Sequence, residues 1–282
     1  MPLCYIGIMR SEPVVWLSSS LLLFLFTACL LGPLLPLAPD TRIDLNNRLL
    51  TPSGKHWLGT DELGRDILSR LLSGGRVSLL ISLVVVSISL TIGTALGSIC
   101  GYAGGWIDDL VMRAADVLLA FPGILLAIGL ISVLGPSIAS VITALVMLGW
   151  VSYARLARSL TLKLRELAFV SSSISIGASR TRILIYHVLP NLLPTLIVQA
   201  SFGFAGIILA ESSLSFLGLG VQPPQPSWGS MLSDGKNHLL DAPHLTVFPG
   251  LAIFFSVLCL NLLGDALRDY LDPRKSVSVA IN

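Results

Sequence analysis

Long apolar runs alternate with polar segments along most of the chain. An apolar run of about 20 residues is long enough to cross a lipid bilayer as a helix. The pattern therefore predicts six transmembrane helices and an all-α membrane protein. The predicted spans are 14–35, 77–102, 117–134, 138–154, 192–210 and 245–264. Composition supports this prediction, because only 12% of the residues are charged, whereas about a quarter are charged in soluble domains.

The polar segments between the spans define the predicted domain organisation. A short N-terminal segment and an uncleaved first span precede an external loop, which contains an amphipathic helix. A five-helix core with two long internal loops follows, and then a polar tail. In order, these parts are 1–13, 14–35, 36–76, 77–264 with the loops 155–190 and 211–244, and 265–282.

Glycine and proline positions refine several of these segments. Gly74 and Gly75 are predicted to separate the amphipathic helix from the second span, and Pro122 to lie near the start of the third. The loop 211–244 is rich in proline and glycine and is predicted to be ordered but non-helical. Glycine every fourth residue in the second span permits close helix contact, although glycine is common in spans in any case. These residues are Gly93, Gly97 and Gly101.

The segment 166–191 is a polar island between two spans, and it makes up most of the predicted docking loop 155–190. Gly177 is predicted to end a first short helix, because glycine favours the position just after a helix C-terminus. Ser179 is predicted to cap a second short helix, and Pro190 to mark the beginning of the fifth span. A rigid helix–turn–helix at a membrane surface suits docking into another protein. A solvated connector between two spans is the alternative interpretation.

The distribution of basic residues predicts the orientation in the membrane. With six spans, both termini and the segment 155–190 lie on one side, together with 11 of the 18 lysine and arginine residues. Cytoplasmic loops carry an excess of these residues. Both termini are therefore predicted to be cytoplasmic, and the loops 36–76 and 211–244 to be external.

Motifs of covalent chemistry are absent from the sequence. It contains no GxxxxGKS/T, HExxH or GxSxG motif, so nothing predicts a P-loop, a zinc protease site or a serine hydrolase site. No acidic or basic residue lies in the middle of a predicted span. This absence weakens the interpretation of the chain as a proton- or sodium-driven carrier. One candidate set of metal ligands lies in a loop predicted to be external. The alternative is that its histidines make ordinary surface contacts and bind no metal. It consists of His238, Asp241 and His244.

Three motifs occur together along the chain. They are HWLGTDELGRD at 56–66, LSFLGLG at 214–220 followed by PP and PSWG, and NLLGDALRDYLDPR at 261–274. As a set, in this order and spacing, the sequence resembles the second-permease type of permease subunit in ABC importers for dipeptides, oligopeptides and nickel. The resemblance extends over nearly the whole chain. It implies the six-transmembrane-helix ABC importer permease fold, with a coupling-helix loop on the cytoplasmic side.

The resemblance also implies candidate site residues. In the family, a Glu-Ala-Ala pattern, a glycine and a Leu-Pro pair before the fifth span dock on the ATPase subunit. The glutamate is missing here, because Ala168 occupies its position and Glu166 lies two residues earlier. The implied docking residues are Ala168, Ser172, Ser173, Gly177, Ala178, Leu189 and Pro190. The implied external gate or binding-protein contacts are Trp57, Gly59, Asp61, Arg65, Asp66 and Trp228.

The function implied by this resemblance is transport, without catalysis by the chain itself. We expect a permease subunit in the bacterial inner membrane that couples ATPase motion to alternating access, with no bound cofactor and no nucleic-acid partner. Its expected partners are a second permease, two cytoplasmic ATPase subunits and an extracytoplasmic solute-binding protein. Peptides are the first expected substrate, and nickel or a metal chelate the second. An ATP-independent secondary transporter or channel, and a structural membrane anchor, are the alternatives.

Overall fold

A computed structural model of the chain describes residues 13–32 and 39–271. Within these ranges the chain is mostly helical and contains no β-strand, which confirms the all-α prediction. The main helices, α1 to α10, are Pro13–Leu31, Ile67–Ala103, Gly105–Leu119, Gly123–Leu134, Ile138–Leu164, Ala168–Ser175, Arg180–Ile183, Leu189–Phe216, Trp228–Gly235 and His244–Leu271. A π-helical turn, Leu184–Val188, joins α7 to α8, and short 3-10 turns lie at Leu45–Asn47 and Lys236–His238.

The six predicted spans correspond to helices of unequal length. Four helical stretches are long and apolar enough to cross a membrane, and a bent pair, α3 with α4, gives a fifth crossing if it counts as one span. The four are Ile67–Ala103, Ile138–Leu164, Arg180–Phe216 and His244–Leu271. The apolar part of α1, Val15–Leu31, is shorter. Residues 1–12, the last part of the predicted first span and most of the predicted tail lie outside the described residues.

The second predicted span begins earlier than the sequence indicated. Helix α2 runs without a break from Ile67, so Gly74 and Gly75 do not separate an amphipathic helix from the span. Packing explains this correction, because a Cβ at Gly75 would lie 2.7 Å from the Trp228 ring and one at Gly74 would lie 3.2 Å from the backbone of Ser227. The two glycines leave room for Ser227 and Trp228 to pack against α2, which stays unbroken. The predicted boundary between external loop and core therefore falls inside α2.

The third predicted span is broken, and the loop predicted before it is helical. Helix α3 ends at Leu119 and α4 begins after Pro122, with an angle of 89° between them. Proline lacks the N–H that a continuing helix needs, and it disfavours the helical conformation in the residue before it. Helix α3 is held to α5 by a charged pair, since the Arg158 guanidinium donates to Asp108 Oδ2 at 2.6 Å.

Several later helices extend further than the apolar pattern predicted. Helices α5, α8 and α10 continue to Leu164, Phe216 and Leu271. The loop predicted to be non-helical contains α9, because Ser227 caps this helix through reciprocal hydrogen bonds with Ser230. A capping box of this kind satisfies backbone N–H groups that a helix start leaves unpaired. The predicted loop 211–244 is thus helical at its beginning and in its middle.

Pro190 marks the start of α8, as predicted, but the helical stretch that contains α8 begins earlier. The helical stretch is continuous from Arg180 to Phe216, and the π turn Leu184–Val188 lies directly before the proline. A π turn changes the backbone hydrogen-bond pattern locally. Pro190 also lies within the first two positions of α8, where the N–H that proline lacks matters least.

Helices α2 and α5 are in close backbone contact along a glycine ridge. A Cβ at Gly93 would lie 2.5 Å from the Trp150 carbonyl oxygen, and one at Gly97 would overlap the carbonyl group of Ala154. Gly101 repeats this contact one turn later. Small residues allow helix backbones to approach in this way inside a membrane. The predicted role of the glycine spacing in helix contact is confirmed.

Substituting Gly97 by alanine should destabilise the chain, because the new Cβ would collide with Ala154 and push α2 away from α5. Overpacking of this kind typically costs about 1–3 kcal/mol. The matched control is Gly129→Ala in α4, where no described atom other than the adjoining helix backbone lies within 4 Å of the added Cβ. Thermal unfolding in detergent should show a lower midpoint for Gly97→Ala than for the control. Equal midpoints would contradict the close contact.

Candidate functional site

Helix α2 separates two polar surfaces of the molecule. It has 37 residues and is therefore about 55 Å long. At its C-terminal end, the Arg165 guanidinium donates to a carbonyl oxygen of α2 at 3.2 Å. Near its N-terminal end, the Trp228 indole N–H donates to another at 3.0 Å. Residues 165–190, which we name the docking segment after their predicted role, therefore lie at the opposite end of α2 from residues 39–66 and 217–243, which we name the external loops after their predicted side.

A glycine turn shapes the docking segment as the sequence predicted. Gly177 has a φ of +83°, a conformation that residues with a side chain rarely adopt. Its N–H donates to the Ile174 carbonyl oxygen at 2.9 Å, and the Ala178 N–H donates to that of Ser173 at 3.0 Å. These two bonds form a Schellman motif, which ends α6. Ser179 then caps α7 by accepting a hydrogen bond from the backbone N–H three residues later.

Helix α6 packs on the bundle by one face and exposes apolar side chains on the other. Val170 is fully buried, and the largely buried Ser173 donates its hydroxyl to the Phe169 carbonyl oxygen at 2.8 Å. Ile174 is 53% exposed and Ile176 is 85% exposed. Exposed apolar side chains on a rigid turn are typical of a protein contact surface. Neither isoleucine belongs to the motif spacing, so the sequence did not single them out.

The seven predicted docking residues lie together in this segment, but they differ in exposure. Ser173 is buried and packs inside the chain. The exposed or half-exposed positions are Ala168, Ser172, Gly177, Ala178, Leu189 and Pro190. Helix α6 has no acidic residue in its first turn and no side-chain cap at its N-terminus. Nothing within α6 therefore replaces the carboxylate that the family pattern places at its start.

The predicted external contacts form a mostly buried structure rather than an exposed surface. Of the six, Trp57 is 69% exposed. The buried five are Gly59, Asp61, Arg65, Asp66 and Trp228. Buried charged groups are costly unless they are paired inside the protein. These five residues therefore shape the external loops from within, and their role as external gate or binding-protein contacts stays a prediction.

Four charged side chains join the external loops to α2. Asp61 Oδ2 lies 2.6 Å from Arg65 Nε and 3.5 Å from Arg70 Nε. The Arg70 guanidinium also donates to Asp234 Oδ2 in α9 at 3.2 Å. Burial raises the pKa of the Asp234 carboxyl, while Arg70 and Arg65 act in the opposite direction. The sequence did not reveal Arg70 and Asp234 as partners, because pairing between distant residues leaves no local pattern.

Asp66 connects the loop motif to the start of α2. Its Oδ1 accepts a hydrogen bond from the Ser69 N–H at 2.9 Å, which caps the helix. Its other oxygen lies 2.9 Å from His56 Nδ1. The beginning and end of the HWLGTDELGRD motif are thereby held together at the helix N-terminus.

The candidate metal set is not formed in the described part of the chain. His238 Nε2 lies 3.5 Å from a Glu62 carboxylate oxygen. His244 begins α10 and is 8% exposed, packed against Gly59. Among the described residues, no group of three or more histidine, cysteine, aspartate or glutamate side chains could hold a metal ion. His238, Asp241 and His244 do not come together at one point. His238 ends a 3-10 turn, whereas His244 is buried at the start of α10.

Known proteins share both the sequence and the architecture of this chain. The sequence profile of the family described as binding-protein-dependent transport system inner membrane component matches residues 93–277. The glutathione transport system permease protein GsiD of Pectobacterium atrosepticum is 45% identical over 241 residues, which are 86% of this chain and 80% of that protein. The dipeptide transport system permease protein DppC of Alkalihalophilus pseudofirmus is 44% identical over 243 residues, again 86% and 80%.

A solved structure shares the fold. A chain of the MetNI methionine ABC transporter, in an inward-facing conformation, matches with a TM-score of 0.57 over 72% of this chain and 97% of that chain. Its sequence identity is 18%, so the match supports the fold alone. The ABC importer permease fold expected from the three motifs is confirmed. On the profile match and the identity of its relatives, the chain belongs to the family of binding-protein-dependent transport system inner membrane components.

Proposed function

We propose that this chain is the second-type permease subunit of an ATP-driven importer for peptides, with glutathione and dipeptides as the substrates to test first. The observation that carries the proposal is the placement of the docking segment and the external loops at opposite ends of α2. A permease needs one surface for its ATPase and another for substrate delivery. The substrate class rests on the two relatives, which are named for glutathione and dipeptide transport.

The proposed assembly contains four kinds of subunit. This chain pairs with a second permease, two cytoplasmic ATPase subunits bind the pair, and a solute-binding protein delivers substrate to the external loops. The chain itself performs no covalent chemistry and binds no cofactor. Nickel, the other substrate class that the sequence suggested, gains no support from the histidine set, whose members do not converge in the described residues.

Motion at the docking segment has a direct route into the membrane helices. Val170 of α6 and Ile183 of α7 belong to the same buried cluster as Tyr153 of α5 and Leu192 of α8. Protein interiors are close-packed and transmit displacements. A shift of α6 therefore moves α5 and α8, and the glycine ridge carries the movement of α5 to α2. In this mechanism, closure of the ATPase subunits moves the membrane helices as rigid bodies. The permease pair thereby alternates between inward- and outward-facing states.

The proposed orientation places both termini and the docking segment in the cytoplasm. Lys163 lies next to the docking segment, whereas Lys55 and Lys236 lie in the external loops, and all three are exposed. In right-side-out membrane vesicles, an impermeant amine reagent should modify Lys55 and Lys236 and spare Lys163. Labelling of Lys163 alone would show that the chain has the opposite orientation in the membrane.

The function is tested by transport in proteoliposomes that contain the two permeases and the ATPases, with binding protein outside. ATP inside the vesicles should drive uptake of labelled glutathione or a dipeptide, but not of nickel ions. Uptake that needs no ATP would indicate a secondary transporter instead. Absence of any flux, with the partners still bound, would favour a structural anchor.

A further inference from the structure

A small cavity lies among the three central helices α2, α5 and α8. Its volume is about 150 Å³. Its wall is mostly apolar and includes Val86 and Ile207, but hydroxyl and amide side chains and several glycines also line it. The residues that matter here are Ser89, Gly149, Ser152, Tyr153, Gln199 and Gly203. Among the described residues that line it, none is charged.

The cavity lies near the middle of the membrane helices. Ser89, Ser152 and Gln199 are each within about four residues of the midpoint of their helical stretches, which are Ile67–Ala103, Ile138–Leu164 and Arg180–Phe216. Four residues of helix correspond to about 6 Å. Three polar side chains from three helices are thus gathered at one depth.

Two buried hydroxyl groups in this wall have no hydrogen-bond partner among the described residues. Ser89 is 1% exposed and Tyr153 is 4% exposed, yet Ser89 Oγ and Tyr153 Oη are both unpaired. Ser82, two turns earlier on α2, instead donates to the Ser78 carbonyl oxygen at 2.9 Å. A buried hydroxyl without a partner is costly, and such a group in a folded protein requires an explanation. A ligand in the cavity would supply the missing partner.

Glycines keep the space beside these hydroxyls open. A Cβ at Gly149 would lie 2.7 Å from Ser89 Oγ, and one at Gly203 would collide with Tyr153 Oη. Any larger residue at either position would fill the cavity or force the hydroxyl away. The chain therefore provides both the polar groups and the room in front of them.

The cavity opens on a face of this chain that carries polar groups at membrane depth. Ser152 is exposed at its rim, and Gln199 is half-buried there. Polar side chains at this depth normally face the bundle interior or a water-filled path rather than lipid. The opening is therefore suited to the interior of a permease pair.

We propose that this cavity is a subsite of the translocation path that binds one peptide group of the cargo, and this inference rests on the proposed function. A peptide group offers one N–H donor and one carbonyl acceptor, and hydroxyl and carboxamide side chains can both donate and accept. A cavity of about 150 Å³ holds a group the size of benzene, so it accepts one peptide unit rather than a whole peptide. Because the wall is uncharged, the subsite binds the backbone of the cargo and not its side chains.

Variants that remove only the unpaired hydroxyls test this subsite. In the reconstituted transporter, Tyr153→Phe and Ser89→Ala should each lower the number of peptides carried per ATP hydrolysed about fivefold, while binding-protein-stimulated ATP hydrolysis continues. Ser82→Ala is the matched control, because its hydroxyl is satisfied within its own helix. Gly206 also lines the cavity, and no described atom other than the adjoining helix backbone lies within 4 Å of an added Cβ there. Gly206→Leu should therefore fill the cavity and give the same uncoupled hydrolysis.

Occupancy is measured independently of transport. In a Ser152→Cys variant of the assembled transporter, a hydrophilic thiol reagent should label the rim, and dipeptide held in the transporter should slow labelling at least fivefold. The subsite would be contradicted if both hydroxyl variants carried as many peptides per ATP as the wild type and dipeptide gave the thiol no protection. In that case, ATP-driven peptide uptake by the wild type would still support the proposed function. Absence of peptide uptake by the wild type would overturn both.

Discussion

Replacing Ile176 by lysine should lower the affinity of the permease for its ATPase subunits about tenfold or more. Ile176 is 85% exposed in this chain, so the substitution removes almost no internal contact. Burial of an isoleucine in an interface contributes about 1.5–3 kcal/mol, and each 1.4 kcal/mol is about a factor of ten in Kd. The helix dipole favours a cation at the C-terminal end of α6. The docking segment should therefore keep its fold while its contact surface is lost.

The measurement is the binding of purified ATPase subunits to the permease pair in detergent. Leu240→Lys is the matched control, because Leu240 is 97% exposed and lies in the external loops. The same change of side chain there should leave ATPase binding unaltered. Weaker binding in both variants would indicate a general effect of the added charge. Wild-type affinity in the Ile176→Lys variant would place this residue outside the contact.

The turn of the docking segment was predictable because its determinants are local. A glycine that ends a helix and a serine that caps the next act through hydrogen bonds spanning a few residues. The structure has both, at Gly177 and Ser179. The glycine ridge of α2 was predictable in the same sense, because its period matches one helical face.

The helix boundaries were less predictable, because the sequence pattern alone does not show whether a glycine or a proline interrupts a helix. Gly74 and Gly75 occur inside α2, since Trp228 and Ser227 pack where their side chains would be. Pro122 breaks the third span instead of opening it. The neighbours that keep the helix intact at the two glycines lie far away along the chain, whereas Pro122 acts through its own backbone.

The external motif shows a different limit of sequence reasoning. Charged residues in a polar loop are mostly exposed in proteins, and the family resemblance implies that Asp61, Arg65 and Asp66 act as external gate or binding-protein contacts. All three are buried, because each finds an oppositely charged or hydrogen-bonding group within the external loops and α2. Arg70 and Asp234, which complete the arrangement, lie 164 residues apart in sequence.

Replacing Arg70 by methionine should destabilise the chain by about 3 kcal/mol. Arg70 is 3% exposed and its guanidinium lies between Asp61 and Asp234, at 3.5 Å and 3.2 Å. The substitution would leave two carboxylates facing Arg65 alone. Removing one partner of a buried ion pair leaves an uncompensated charge and costs about 3–5 kcal/mol. The lower end applies here because the Asp234 side chain is 38% exposed and keeps part of its hydration.

Thermal unfolding of the permease in detergent should show this loss as a midpoint lowered by roughly 6–12 °C. Arg42→Met is the control, because Arg42 is exposed in the same loop region. The double variant Arg70→Met with Asp234→Leu should recover much of the loss, since it removes the unpaired carboxylate together with the guanidinium, and contacting residues have non-additive effects. If the two losses simply add, the pair does not join α9 to α2. A single Arg70→Met variant as stable as the control would show that Arg65 alone neutralises both carboxylates.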